Sequence, residues 1–302
     1  MAPKRETVTI PSVEENVFLD VWFYRPDGPG PYPVVIAGHG MTLVKEAGLA
    51  VFGERWASEA GYASLILDYR GFGDSGGQPR NLLVLEKQLQ DFRSVIEWAR
   101  DRPDTFRTDK IVVMGSALAG LVVSKLLIHD PGLAGGIGHS PVLDGYSTLM
   151  SLSPNPRVLF WTVADYFSGK LGWSPIFVKA VGGPTQFAFL NTPSCIPGFS
   201  SMYEHGTIGK PFSSADNVVA PRVAFEMMSW KAPLQDLKSP LLVVAGDSDD
   251  MIPLHVTQSA VDASNGRARL ELFSGGHFDV MSGGKAFEFN MNAQLDFLRS
   301  LL

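Results

Sequence analysis

The sequence predicts an α/β fold: a mostly parallel sheet flanked by helices, with a mainly helical insertion. Three observations lead there. Residues 34–37, 63–67, 110–114 and 241–245 are short runs without polar alternation, as expected for strands of a parallel sheet covered on both faces. Leu85, Leu89, Phe92, Ile96 and Ala99 recur at helical spacing and stop near Pro103, and Phe287, Met291, Leu295, Leu298 and Leu302 repeat the pattern at the C-terminus. The third observation is a break in this rhythm between residues 141 and 234.

Taken in order, residues 1–6 are polar and carry no hydrophobic signal segment. Residues 17–24 alternate and predict an antiparallel strand. A Gly/Pro turn cluster fills 26–33. The runs at 34–37, 63–67 and 110–114 follow as strands, with the Leu85–Ala99 stripe as a crossover helix and a further helix starting near Leu118. Residues 141–234 hold 14 of the 32 aromatics and 10 of the 21 prolines, but only 11 charges. They predict a cap with its own small core, or a lid whose aromatics line an apolar pocket. Phe160, Trp161, Tyr166, Phe167 and Trp173 are the candidate substrate-binding aromatics. Alternation resumes near Leu237, with strands at 241–245 and 268–273. The expected division is a core of 1–140 and 235–302 and a cap of 141–234.

Composition excludes several classes. With 302 residues, 45% hydrophobic and 19% charged, the folded chain hides roughly three quarters of its unfolded surface. Disordered, collagenous and coiled-coil compositions do not match. A net charge of −6 argues against nucleic acid as the main partner. No apolar run approaches the ~18 residues of a membrane span. Cys195 is the single cysteine, so no internal disulfide forms, and a reducing, cytoplasmic setting is expected. No cofactor or metal is expected. Residues 71–76 read G-x-G-x-x-G, but Gly77-Gln78-Pro79 follows instead of a helix opening. No His/Cys/Asp cluster has zinc spacing.

The strongest chemical signal is residues 111–120, IVVMGSALAG. A strand enters a tight turn and then a helix, the context of a nucleophile elbow. The positions two before and two after the nucleophile must be small. Centring on Ser116 places Met114 and Leu118 there. Centring on Ala117 places Gly115 and Ala119 there, so alanine occupies the position of the attacking group.

With this elbow, further segments resemble those of the α/β-hydrolases. Gly38-His39-Gly40-Met41 resembles the oxyanion loop. Asp68 to Gly76, DYRGFGDSG, resembles the family's DxRGxGxS segment. Gly246 to Pro253 and Gly275-Gly276-His277-Phe278 resemble the segments of the triad acid and histidine. Together with Gln78-Pro79-Arg80, residues 141–145 and Gly276-His277-Phe278-Asp279, the chain is similar to fungal polyketide transferases and thiohydrolases. The resemblance implies His277 as base and Asp249 as its acid, with Asp144 as runner-up and Asp247 and Asp250 as neighbours. It implies the amides of Met41 and Leu118 as the oxyanion hole. His39 is expected to position the oxyanion loop and border the substrate. His129, His139, His205 and His255 lack a supporting constellation and are expected at the surface, at caps or in the cap pocket. Cys195 has no elbow.

Two readings of Ala117 follow: a serine replaced by alanine, which leaves a substrate trap, or a naturally non-catalytic chain. The intact surroundings favour the first. The expected function is a serine-type acyl hydrolase or acyltransferase acting on an ester or thioester of an apolar, polyketide-like chain in secondary metabolism. The partner is a small acyl substrate, free or bound to a carrier protein or CoA. The alternatives are a non-hydrolytic cyclase or lyase on the same fold, and a ligand-binding pseudoenzyme.

Overall fold

The apolar runs pair into one sheet in the computed structural model, which describes residues 3–152, 156–207, 209 and 211–302. The first half contains β1 (Lys4–Pro11), β2 (Phe18–Arg25), β3 (Tyr32–Gly38), α1 (Ala50–Ala60), β4 (Ala63–Leu67), α2 (Leu85–Arg100), β5 (Phe106–Ser116), α3 (Ala119–His129) and β6 (Gly135–His139). Next come α4 (Gly145–Ser151), α5 (Pro156–Lys170), α6 (Cys195–Glu204) and α7 (Val223–Ser229), joined by irregular chain. After a short turn at Leu234–Asp236 follow β7 (Leu241–Gly246), α8 (Leu254–Asp262), β8 (Ala268–Phe273) and α9 (Phe287–Ser300).

The strand order is β1-β2-β4-β3-β5-β6-β7-β8. Only β2 runs against the rest. The interior strands β4 and β7 are buried along their whole length, which is why their sequences lack alternation. β1 is not among the strands the sequence predicts. It is an edge strand whose one buried residue is Ile10, so its sequence is polar enough to read as a terminus. Helix α1 packs with α9, and α2 with α3. Among the described residues no helix is long and apolar enough to cross a membrane.

The order reverses at β3, which has β4 on one side and β5 on the other. Chains leaving β3 and β5 therefore diverge and open a crevice at the strand ends. Gly38 and Gly115 face each other there in register.

A buried ion cluster fixes the loop after β3. The Lys45 ammonium is fully buried and lies 2.5 Å from Asp68, 3.0 Å from Asp20 and 3.2 Å from Asp74. The amides of Lys45 and Asp74 also donate to Asp68. Burial pulls the ammonium pKa down, but the charges and hydrogen bonds of Asp68 and Asp20 together outweigh it and raise the value. The loop is thus tied to the ends of β2 and β4.

Two histidines are sealed near the same strand ends. His39 donates from Nε2 to the Ala47 carbonyl at 2.7 Å and accepts the Gly40 amide at Nδ1. His139, which the sequence places at the surface, a cap or the cap pocket, is instead 1% exposed and inside a polar network. Its Nε2 accepts from Gln294, which also receives the Trp56 indole N–H and donates to Asn290. The network joins α1, α9 and the end of β6. Burial pushes His39 down to about 4, against the Ala47 bond, and His139 down to about 3, against the Gln294 bond.

Removing the ammonium should leave three carboxylates facing one another, so Lys45→Met should cost about 3–5 kcal/mol in urea unfolding at pH 7. A loss below about 1 kcal/mol would mean the cluster is not under the stress described. The histidines set a second expectation. Their folded pKa values lie below the unfolded 6.5, so the unfolded chain takes up protons first as pH falls. The stabilisation is complete above pH 6.5 and drains away towards pH 4. Each histidine should contribute a loss on the order of 2 kcal/mol between pH 7.5 and pH 5. Urea midpoints across that range, with His39→Gln and His139→Gln flattening the slope, check it.

Candidate active site

β5 passes directly into α3 through residues 117 and 118. Ala117 has φ of +45°, a left-handed conformation that costs any residue with a side chain. Hydrogen bonds hold it there: its amide donates to the His139 carbonyl at 2.9 Å, and its carbonyl accepts from Gly120 and Val142. The turn leaves no room at Gly115, where a Cβ would lie 2.8 Å from the Ala119 carbonyl oxygen. This is the steric demand of a nucleophile elbow. Ser116, the other register, has a buried hydroxyl without a partner among the described residues.

The loop after β3 lies against the elbow. A Cβ at Gly40 would come within 3.2 Å of the Ala117 methyl, so glycine allows the two backbones to approach. Gly40 spends its amide on His39. The amides of Met41 and Leu118 donate to no described residue, and both residues line a cavity with Ala117 and His277. Two unpaired amides beside an elbow can receive developing negative charge.

His277 sits in the loop after β8 and is 6% exposed. Its Nδ1 lies 2.7 Å from Asp249 Oδ2. Asp249 Oδ1 accepts the amides of Met251 and Ile252, both at 2.8 Å. These bonds fix the position of the carboxyl group, which orients the ring and leaves Nε2 for proton transfer. The Ser140 hydroxyl, after β6, donates to the His277 carbonyl and draws the loop back across the sheet.

The other acids have separate partners. Asp144 caps α4 by accepting the Ser147 amide and pairs with Lys231 at 2.9 Å. Burial raises its pKa, but the Ser147 and Lys231 bonds lower it further. Asp247 accepts from Ser248 and Gly275. Asp250 accepts the amide and hydroxyl of Ser194, which fastens the start of α6 to the acid loop.

Three apolar cavities adjoin. An inner cavity holds Ala117 and His277 against Leu43, Phe199, Met202 and Met281. A second shares Ala117, Met41, Met251 and His277 with it and extends to Leu152 and Phe189. A third shares Leu152 and Phe189 and ends at Leu159 and Phe225. Leu190 borders all three. His39 borders the inner cavity with both ring nitrogens already engaged.

The expected aromatics are elsewhere, which corrects the sequence reading. Phe160, Phe167 and Trp173 are more than half exposed. Trp161 borders a separate surface cleft with Phe177 and Phe187, and Tyr166 packs on Phe225 at 4.7 Å. On the opposite, inward face the buried carboxylate of Asp165 accepts the Arg222 guanidinium at 2.6 Å and the amides of Ile176 and Arg222. Leu190 and Phe189, which do line the site, lie in irregular chain without any periodic signal. Met251 could have been found, since it follows the acid by two residues.

Residues 15–158 match a family described as X-Pro dipeptidyl-peptidase (S15 family). The quorum-quenching protein AidA of Acinetobacter baumannii is 28% identical over 291 residues, covering 95% of this chain and 92% of that protein. Polyketide transferase grgF of a Penicillium species is 23% identical over 294 residues, covering 94% and 93%. A solved structure of DcsB with its substrate analogue superposes with a TM-score of 0.77 at 22% identity, covering 99% of this chain and 100% of that one. The chain thus has the fold of the α/β hydrolases and is similar to proteins named polyketide transferase and thiohydrolase.

Proposed function

We propose that the crevice is an acyl-transfer site for esters or thioesters of apolar, polyketide-like chains, with residue 117 as the nucleophile position. The observation that carries this reading is the His277–Asp249 pair, whose histidine borders the same cavity as a positive-φ residue at the β5–α3 elbow. With a hydroxyl at 117, Oγ attacks the carbonyl carbon as His277 Nε2 takes its proton. The Met41 and Leu118 amides receive the oxyanion. The intermediate collapses, the leaving alcohol or thiol takes the proton from His277, and water or an acceptor releases the acyl group.

The alanine methyl cannot attack. In this chain the site binds substrate without forming an acyl-enzyme. Strain at a non-glycine left-handed residue is characteristic of functional sites, and its presence here supports the reading of Ala117 as a replaced nucleophile. The apolar cavities support an apolar chain as the acyl group, whether free or delivered on CoA or a carrier protein. A ligand-binding protein without acyl chemistry is the second reading, favoured by the alanine itself.

Ala117→Ser should hydrolyse a short p-nitrophenyl ester on the order of 10³-fold or more faster than the Ala117 chain. Adding His277→Ala or Asp249→Asn should remove most of that gain, while Asp144→Asn should leave it. No gain in a folded Ala117→Ser protein would reject acyl transfer. A second expectation concerns chain length. Calorimetry on the Ala117 chain should show binding that strengthens by up to ~0.8 kcal/mol per added CH₂. Leu190→Trp, at the junction of the three cavities, should weaken long chains and spare short ones. A flat series would reject the apolar acyl pocket.

A further inference from the structure

Helix α5 is inverted. The residues it buries are Val158, Thr162, Asp165 and Ser168. The residues it presents to solvent include Leu159, Phe160, Val163 and Phe167, continued by Leu171 and Trp173 just past its end. Leu159, Val163, Phe167 and Leu171 are spaced by four, so they form one ridge along the helix. A surface helix normally shows the opposite arrangement. The inversion is held firmly, because the Asp165–Arg222 pair fixes which side faces in.

The patch is broad. Phe160 is 65% exposed, Phe167 58% and Trp173 67%, and Trp161 and Phe177 extend it around the shared cleft. Given ~150–250 Å² for each aromatic side chain, the exposed aromatics present roughly 400–670 Å², to which Leu159, Val163 and Leu171 add. Monomers rarely show a patch above ~300–600 Å². One side of a standard protein interface takes about 800 Å².

We propose that this face is a dimer interface, covered by the same face of a second copy of the chain. The area matches what one partner contributes to a stable dimer. A ridge with a spacing of four packs against an identical ridge, and an isologous two-fold contact needs only one such surface. A lipid surface fits less well. Membrane-lying helices carry a basic polar face, whereas α5 has only Arg157 and Lys170 and buries its polar side, and the chain carries −6. The patch also reaches Leu159 at the outer apolar cavity, so the second copy would shield that end of the cavity from water. The proposal does not depend on the chemistry at residue 117.

Sedimentation equilibrium of the full chain from about 1 to 100 µM, a range chosen to bracket the micromolar affinities of ordinary interfaces, tests it. The expected mass is twice 32.8 kDa, falling to the single-chain mass in Phe160→Asp/Phe167→Asp with its circular dichroism unchanged. If that variant does not fold, Val163→Cys replaces it. The thiol introduced at position 163 should form an intermolecular disulfide under oxidised glutathione, whereas that of Ser58→Cys, exposed on α1, should not. A single-chain mass at every concentration would overturn the proposal. So would a dimer that survives the double substitution and does not cross-link through position 163. A monomer that pellets with phosphatidylcholine/phosphatidylserine vesicles would overturn it in favour of a lipid-facing surface.

Discussion

Residue 117 is held in a left-handed conformation, and the arrangement around it follows from that. The sharp turn lets α3 start directly where β5 ends and directs the residue 117 side chain into the crevice. It demands glycine at 115, and the approach of the neighbouring loop demands glycine at 40. It also frees the Leu118 amide beside that of Met41. The sheet supplies the rest. β3 and β5 are neighbours at the point where strand order reverses, so the loop after one and the elbow after the other cannot avoid meeting.

The remaining parts are brought in from a distance. Asp249 follows β7 and His277 follows β8, two strands on the far side of the sheet. Their loops reach the elbow because Ser140 holds the His277 backbone above β6 and two amides hold Asp249 in place. The buried Lys45 cluster performs the same task for the loop after β3. Each fixing contact lies outside the reacting groups.

Much of this was legible in the sequence. The elbow could be read because sterics permit only small residues around it, and the pairing of Asp249 with His277 was expected from the resemblance of their two loop segments. What could not be read shares one cause: composition does not reveal which way a side chain faces. The aromatics of α5 looked like a pocket lining, but the helix faces Asp165 inward to Arg222 and the aromatics outward. His139 closes a glycine-rich strand, GGIGH, and only the fold brings Gln294 to it, 155 residues away. Leu190 lies in irregular chain, where no periodicity marks it as the meeting point of three cavities.

If the crevice performs acyl transfer, residue 117 is where the acyl group would attach. Intact-protein mass spectrometry of Ala117→Ser, incubated with medium-chain acyl thioesters and quenched in acid, tests this most directly. One added acyl mass is expected, mapped to residue 117 by peptide fragmentation and absent from the Ala117 chain. The adduct should fail to form when His277→Ala is added. An adduct on any other residue, or none in a folded protein that binds the thioester, would contradict it.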